Sequence, residues 1–315
     1  MVDMVCDNFD DVIVIYNGAN QFELGFTDEY PQIKSVVWCP GTGNVGFNAL
    51  GKVFSGEVNP SGKTPDTFIY DMTTAPWWNN GEKIEYTNLA DMAVEGMNAG
   101  SPQVYAPAFT NYVEGIYVGY KYYETAAQEG FIDYDKTVQY PFGYGLSYTE
   151  FEQKMGELEE KDGQISVDVE VTNTGDVAGK DVVEVYYNPP YTNGGIEKAS
   201  ANLIEFAKTD LLQPGDSQTV TVTFDVEDMA SYDENDAEAY VLEKGDYVIS
   251  INRDSHTVLD QKTYTVDDTV VYAGENKRAS DDTAATNVFE DAKGDITYLS
   301  RADHFANYEK ATAAP

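Results

Sequence analysis

The organisation of this chain is decided by two neighbouring stretches, Glu114-Gly-Ile-Tyr-Val-Gly-Tyr-Lys-Tyr-Tyr-Glu-Thr125 and Tyr140-Pro-Phe-Gly-Tyr-Gly-Leu-Ser-Tyr-Thr-Glu-Phe151. Apolar residues before these stretches occur in continuous runs, whereas apolar residues after them alternate with polar ones. In the second stretch Gly143 and Gly145 stand between aromatic residues, and glycine allows two backbones to approach closely. We therefore predict that the second stretch is a rigid connector between an α/β layer and a β-sandwich.

The region before the connector has the pattern of an α/β fold. Val12-Ile-Val-Ile-Tyr16 is a continuous apolar run typical of a fully buried parallel strand, and residues 33–38 suggest a second strand. Apolar residues at 47, 50, 53 and 54 have helical spacing. Beyond Pro60 the chain is rich in Pro, Gly, Asn and Tyr, which predicts loops. We predict a partial α/β sandwich (flavodoxin-like) domain with connector loops over residues 1–152.

The region after the connector has a hydrophobic period of two. Ile165, Val167, Val169 and Val171 alternate with polar residues, and the pattern recurs around residues 220–226 and 247–251. Turn residues such as Asn-Thr-Gly and Pro-Gly-Asp separate the runs. These features predict an immunoglobulin-like antiparallel β-sandwich over residues 160–272. The polar composition that follows predicts a linker or tail over residues 273–315.

The charge of the chain bounds its partners. There are 55 acidic and 19 basic residues, which gives a formal net charge of −36. A field of this sign repels phosphate backbones and anionic lipid headgroups, so we expect neither nucleic acid nor a membrane as a partner, whereas a neutral sugar is compatible. No apolar run reaches the about 18 residues of a membrane span. No signal peptide is recognisable at Met1, and the compartment stays open.

The glycine loop Gly41-Thr-Gly-Asn-Val-Gly46 matches the GxGxxG pattern of dinucleotide-binding folds. It follows a predicted strand, precedes a predicted helix, and Asp66 stands 20 residues beyond its last glycine. A nucleotide-binding unit needs a buried apolar strand that ends at this acid, but the preceding segment contains two prolines. We therefore interpret the loop as a tight strand-to-helix turn, and keep nucleotide binding as an alternative.

Candidate catalytic residues are not singled out by spacing. Hydrolysis of a glycosidic bond needs two carboxyl groups that flank it, and 55 acids offer too many pairs. The histidines and cysteines lack the spacing of metal ligands, so no metal site and no cofactor are expected, and we expect both histidines at the surface. For the acids we favour structural roles, with two lysines as partners. The residues considered are Glu23, Asp66, Glu114, Glu124, Lys63, Lys121, His256, His304, Cys6 and Cys39.

Aromatic residues cluster in the loop-rich part of the first region. Flat aromatic faces suit the apolar side of a pyranose ring, and tyrosine hydroxyls suit its polar edge. The alternative is that these rings pack the seam between the two regions, and we favour that interpretation. The cluster consists of Trp77, Trp78, Tyr86, Tyr105, Tyr112, Tyr117, Tyr120, Tyr122 and Tyr123.

Four stretches are specific in combination: Trp38-Cys-Pro-Gly-Thr-Gly-Asn-Val-Gly-Phe-Asn-Ala49, Val58-Asn-Pro-Ser-Gly-Lys63, Glu114-Gly-Ile-Tyr-Val-Gly-Tyr120 and Pro141-Phe-Gly-Tyr-Gly-Leu-Ser-Tyr148. Together they resemble the second domain of the family 3 glycoside hydrolases, typified by β-glucosidases. The resemblance covers about residues 10–272, and the β-sandwich is similar to the fibronectin type III-like module of that family.

The resemblance implies a retaining, exo-acting hydrolase that releases glucose or a similar sugar from β-glycosides. In that family an aspartate nucleophile comes from a (β/α)8 barrel, and an acid/base glutamate comes from a part of the α/β sandwich upstream of the matched segment. No stretch of this chain matches either position, so no catalytic residue is assigned and the sugar-binding residues stay open. Some members place the barrel last, and Thr297-Tyr-Leu-Ser-Arg-Ala-Asp303 resembles its lead-in.

The expectation that follows is a fragment of a β-glucosidase-type hydrolase that is inactive alone. Its partners would be a β-glucoside or oligosaccharide in the complete enzyme and the missing barrel, in cis or in trans. A second hypothesis is a non-catalytic carbohydrate-binding or scaffold subunit that pairs with a separate barrel chain. Nucleotide binding at the glycine loop is the third.

Overall fold

A computed structural model describes residues 1–81, 84–288 and 294–315 of the chain. The helices are α1 (Val2–Cys6), α2 (Phe47–Phe54), α3 (Leu89–Met92), α4 (Tyr120–Gln128), α5 (Tyr134–Thr137), α6 (Ala302–Phe305) and α7 (Tyr308–Ala311). The strands of the first region are β1 (Val12–Tyr16), β2 (Ile33–Trp38), β3 (Phe68–Ile69), β4 (Ile84–Glu85), β5 (Val94–Asn98), β6 (Ser101–Tyr105), β7 (Ala108–Phe109) and β8 (Val138–Tyr140). Those of the second are β9 (Phe151–Lys161), β10 (Gln164–Asn173), β11 (Val182–Asn188), β12 (Asn202–Lys208), β13 (Ser217–Asp225), β14 (Ser231–Asp233), β15 (Ala239–Leu242), β16 (Gly245–Asn252), β17 (Val258–Val266) and β18 (Val270–Tyr272).

The predicted fold class, an α/β region followed by an all-β sandwich, is confirmed. In the described part of the chain, no helix is long and apolar enough to cross a bilayer.

Strands β1 and β2 form the parallel pair that the apolar runs predict. The prediction that β1 is fully buried is wrong, because Ile13 and Ile15 are 49% and 45% exposed. A continuous apolar run is typical of a strand that is covered on both faces of the sheet. Its burial depends on the layers that pack on the sheet, and the described residues leave one face of this pair open. Helix α2 forms where the helical spacing predicts it, yet none of its residues is buried.

The segment that we predicted as loops contains two short antiparallel ribbons. Strand β4 pairs with β7, and β5 pairs with β6 around a two-residue turn at Ala99 and Gly100. Both turn residues have positive φ, as the tight turn of a β-hairpin requires. Only Gly96 in the β5–β6 hairpin is even half-buried, so this hairpin projects from the body of the protein.

The second region is a sandwich whose core comes from the alternating residues. One sheet has the order β13-β10-β9, the facing sheet has the order β12-β11-β16-β17, and a smaller sheet has the order β14-β15-β18. Every second residue of β10 is buried, and these side chains share one core with apolar residues of β11, β13 and β16. Because a period of two places alternate side chains on one face, the sequence pattern predicts this core directly.

The carboxy-terminal segment, for which the composition predicts a linker or tail, is partly packed. Leu299, Phe305 and Ala311 are buried in a second hydrophobic core with Tyr117 and Tyr122 of the first region. The average composition concealed this, because the few apolar residues stand among polar ones. The predicted boundaries of residues 1–152, 160–272 and 273–315 otherwise stay predictions, and residues 289–293 of the predicted linker lie outside the described residues.

Candidate functional site

The connector is fixed by a reciprocal set of hydrogen bonds to the loop that follows Lys63. The backbone N–H of Thr64 donates to Tyr144, and the backbone N–H of Gly143 donates back to Thr64, both at 2.8 Å. The Thr64 hydroxyl adds a 2.6 Å hydrogen bond to the carbonyl of Pro141. Two irregular segments thus satisfy each other's backbone groups, which explains how a chain without regular structure is rigid here.

A buried carboxyl group lies directly beneath the connector. Glu184, on β11, is 3% exposed and accepts a 2.9 Å hydrogen bond from the Tyr186 hydroxyl. Burial raises the pKa of Glu184 to about 7. Gly143 has a φ of +81°, and a Cβ atom built on it would lie 2.3 Å from a carboxyl oxygen of Glu184. Only glycine fits at this position.

Glu124 is the predicted acid with the richest set of partners. It lies on α4 and is 8% exposed. Its carboxylate accepts hydrogen bonds from the Tyr134 hydroxyl at 2.6 Å, the Ser255 hydroxyl at 2.8 Å and Nδ1 of His256 at 2.8 Å. The acceptor lies on α4, and its three donors lie at the start of α5 and in the turn between β16 and β17. This acid therefore joins the two regions through hydrogen bonds from both of them.

The turn that carries His256 is itself built by a side chain. The Asp254 carboxylate accepts from the backbone N–H groups of His256 at 3.0 Å and of Thr257 at 2.7 Å. The His256 ring stacks on Tyr134 with centroids 3.6 Å apart and an 8° interplanar angle. The hydrogen bond to Glu124 raises the pKa of His256, against the lowering effect of partial burial.

The other predicted acids have separate surroundings. Glu23 is exposed and accepts from the backbone N–H of Met72 at 2.7 Å. Asp66 accepts from the backbone N–H of Thr67 at 2.8 Å, and burial raises its pKa. Burial also raises the pKa of Glu114.

Asp66 and Glu114 are the two predicted acids that the structure brings near one group. Burial of the Tyr123 hydroxyl raises its pKa, and the negative charges of Asp66 and Glu114 raise it further. Glu124 is instead engaged in the network with His256. Of the two predicted lysine partners, Lys63 donates to the backbone carbonyl of Arg253 at 3.2 Å, and burial lowers the pKa of Lys121.

The second histidine also has a carboxylate partner. Nδ1 of His304 lies 2.7 Å from Glu129 at an exposed position, so both histidines reach the surface as expected. Each pairs with an acid far away in the sequence, which local spacing could not indicate. The one local sequence signal at this site was Asp254, two residues before His256, because an aspartate side chain can accept from backbone N–H groups and so order a turn. Among the described residues, no group of three or more histidines, cysteines and acids is placed to hold a metal ion.

The same Glu129 anchors the carboxy-terminal segment. Arg301 is 4% exposed, its Nε donates to Glu129 at 2.6 Å, and its guanidinium donates to the carbonyl of Lys198 at 3.1 Å. The guanidinium carbon also lies 4.2 Å from the centre of the Tyr191 ring. These contacts hold residues 299–305 across the two regions.

The aromatic cluster is divided between the seam and the surface. Tyr120 stacks on Phe142 of the connector with centroids 4.6 Å apart, and its hydroxyl accepts from the backbone N–H of Leu203 in the sandwich at 2.9 Å. The buried rings of the cluster are Tyr117, Tyr122 and Tyr123, and Trp77 is half-buried. The exposed rings are Trp78, Tyr86, Tyr105 and Tyr112. The seam interpretation therefore describes the buried rings and Tyr120.

The glycine loop lies between β2 and α2, as its pattern predicts. Asp66, however, follows an irregular segment, and the next strand, β3, pairs with β8 in the antiparallel direction. The acid is thus not at the end of a parallel strand beside β1, which is the position that a dinucleotide-binding unit requires.

A groove of about 480 Å³ runs along the seam beside the Glu124 network. Helices α4 and α5 form one wall, and strands β11, β16 and β17 form the other. Asn252, which is 2% exposed, lines it, and the buried Oδ1 atom of Asn252 has no hydrogen-bond partner among the residues that the structure describes. The residues that line the groove include Glu124, Gln128, Tyr134, Asn188, Asn252, His256 and Gln261. No local sequence pattern indicates this groove, since the residues of its two walls are far apart in the chain.

Comparisons with known proteins agree on one family. The model described as the glycosyl hydrolase family 3 C-terminal domain matches residues 1–148, and the fibronectin type III-like domain matches residues 181–255. The chain is similar to a β-glucosidase of Ruminococcus albus, 33% identical over 96% of this chain and 29% of that protein. β-Glucosidase A of Butyrivibrio fibrisolvens is 36% identical over 78% of this chain and 28% of its own length.

Solved structures show the same relationship. A β-glucosidase from Paenibacillus barengoltzii superposes with a TM-score of 0.71 and 33% identity, over 86% of this chain and 27% of that one. β-Glucosidase 3B from Thermotoga neapolitana, solved in complex with α-D-glucose, gives 0.67 and 30%, over 83% and 32%. This chain therefore spans less than a third of the length of each of these relatives.

Proposed function

Since the chain belongs to glycoside hydrolase family 3, we propose that it is part of a β-glucosidase-type enzyme that hydrolyses O-glycosyl bonds in β-glycosides. In this proposal the chain supplies a partial α/β sandwich and the fibronectin type III-like module, and lacks the nucleophile-bearing barrel and the acid/base segment. On the resemblance described above, the attacking aspartate and the proton-donating glutamate belong to those other parts.

One observation carries the proposal: β1 and α2 leave large apolar side chains open to solvent. Ile13, Ile15, Phe47 and Phe54 are all exposed. A parallel sheet is normally covered on both faces, and two strands are too few for an independent sheet. We infer that this open surface packs against the remainder of the α/β sandwich, in the same or a separate polypeptide.

The connector gives the chain a role in such an assembly. Its hydrogen bonds to Thr64, and the network centred on Glu124, hold the α/β part and the sandwich in one fixed arrangement. A fixed support of this kind positions the loops around an active site without taking part in the chemistry.

A chimaera tests the proposal. The part of the Ruminococcus albus β-glucosidase that matches this chain is replaced by residues 1–315, and hydrolysis of an aryl β-glucoside is measured. We expect turnover by the chimaera, and loss of turnover when Ile13→Asp and Ile15→Asp place charges in the inferred interface. Val94→Asp, at an exposed position of the β5–β6 hairpin, is the control. A folded chimaera without turnover contradicts the proposal.

A further inference from the structure

The groove at the seam has side chains suited to a neutral polar ligand. We propose that it is a carbohydrate-binding site, which holds one or two sugar units of a neutral oligosaccharide between α4, α5 and the β11–β16–β17 sheet. The expectation that these sugar units are β-linked glucose rests on the proposed function; the existence of the site does not.

The charges of the lining residues exclude ionic ligands. Among the described residues that line the groove there is no lysine or arginine, so a phosphate or carboxylate would find no cation except a protonated His256. The single carboxylate is that of Glu124, and three donors from protein side chains already engage it. A metal cation would have to break these hydrogen bonds.

The remaining polar groups are those that recognise hydroxyl groups. Asn188, Asn252, Gln128 and Gln261 contribute amide groups, each of which can donate and accept. Burying the Oδ1 atom of Asn252 without a partner costs free energy, and a sugar hydroxyl that enters the groove could donate to it. Ala127, Ile132 and Val258 add apolar surface beside these amides. Polar residues outnumber apolar ones in this lining, which suits a ligand rich in hydroxyl groups, and 480 Å³ lies within the range of about 300–1,000 Å³ of small-molecule sites.

One wall of the groove is ordered by contacts within the protein. Tyr134, Ser255 and His256 are all bonded to Glu124, and the His256 ring is stacked on Tyr134. Such a wall loses little conformational freedom when a ligand binds, because its side chains are ordered beforehand.

Amide NMR of the full 315-residue chain tests the site. Cellobiose is titrated in, and we expect saturable shifts for groove residues such as Ser200, Val248 and Gln261. Sodium phosphate and calcium chloride are titrated separately, and we expect neither to shift these signals. Shifts absent up to the solubility of cellobiose, shifts scattered outside the groove, or equal shifts with phosphate would each overturn the proposal.

Two variants make the test specific. Gln261→Ala, at an exposed position of β17, removes one amide and should weaken cellobiose binding about five-fold. Asn252→Ala removes the amide whose buried oxygen is unpaired among the described residues, and should weaken cellobiose binding at least as much. Gln103→Ala, an exposed glutamine of the β5–β6 hairpin, is the matched control and should bind as the parent does. Unchanged affinity in both groove variants overturns the site. Turnover by the chimaera is measured independently, so failure of the groove and failure of the proposed function give different results.

Discussion

Nδ1 of His256 lies 2.8 Å from a carboxylate oxygen of Glu124, although 132 residues separate them in the sequence. The carboxylate can only accept, so the imidazole donates, and the ring is held flat against Tyr134 at the same time. This contact ties the helix α4 of the α/β region to the turn between β16 and β17 of the sandwich. It is one of several contacts that hold the two regions together, and it involves a side chain that titrates.

We expect the His256–Glu124 contact to stabilise the protein at low pH more than at high pH. The hydrogen bond raises the pKa of His256, so its contribution is complete below the unfolded value of about 6.5 and is lost as the pH rises through the higher folded value. Because the His256 side chain is 44% exposed, we expect less than about 1 kcal/mol. Chemical unfolding of the parent and of His256→Gln at about pH 6 and about pH 8.5 measures this. Equal differences at the two pH values would contradict it.

Gly143→Ala should destabilise the folded state by about 3 kcal/mol, since it combines a positive φ with a steric clash against Glu184. The control is Gly130→Ala. Gly130 also has a positive φ, of +71°, but a Cβ atom there meets no atom within 4 Å, so about 1 kcal/mol is expected. Thermal and denaturant unfolding give both values. Equal losses of stability in the two variants would contradict the close approach of Gly143 in the connector to Glu184 on β11.

Glu184→Gln should stabilise the protein at alkaline pH. Burial raises the pKa of Glu184 from 4.5 to about 7, so the folded state prefers the neutral acid and loses stability as the pH rises from the lower value through the higher one. The amide stays neutral and still accepts from Tyr186, which predicts a gain of about 2 kcal/mol at about pH 8 and none at about pH 4.5. Glu170→Gln, on the exposed side of β10, should change the unfolding free energy little at either pH. A destabilised Glu184→Gln at about pH 8 would show that the charged form is favoured.

Arg301→Met should cost about 3 kcal/mol, because it leaves the largely buried Glu129 without its guanidinium partner and the carbonyl of Lys198 without a donor. Arg253→Met, at an exposed position, should change the free energy of unfolding by less than about 0.5 kcal/mol. Urea unfolding compares the two. If residues 299–311 formed a loose tail, neither substitution would change the free energy of unfolding. That result would contradict the packing of this segment.

The sequence predicted those features that depend on local periodicity. The alternation from Ile165 to Val171 predicted the sandwich core, because a strand places every second side chain on one face. The apolar run at Val12–Tyr16 predicted a parallel strand but gave the wrong burial, since burial depends on which other layers are present. The composition after Tyr272 predicted a tail, and the three buried apolar residues at 299, 305 and 311 were too few to alter that average.

The site depended on contacts that no local pattern contains. Glu124 was one of four acids considered, and nothing near it in the sequence indicated Tyr134, Ser255 and His256 as its donors. The seam groove is bounded by residues from 124 to 261, which only the fold brings together. Residue types at fixed spacing could therefore predict the connector, but not the Glu124 network or the seam groove, whose residues meet only in the folded chain.

The most direct test of the account is the hydrolysis of an aryl β-glucoside by the purified 315-residue chain. We predict no turnover above the uncatalysed rate, while the chimaera with the remaining parts of the Ruminococcus albus enzyme hydrolyses the same substrate. Turnover by the chain alone that disappears in Asp66→Asn or Glu114→Gln would place the reacting carboxyl groups on this polypeptide and contradict the account.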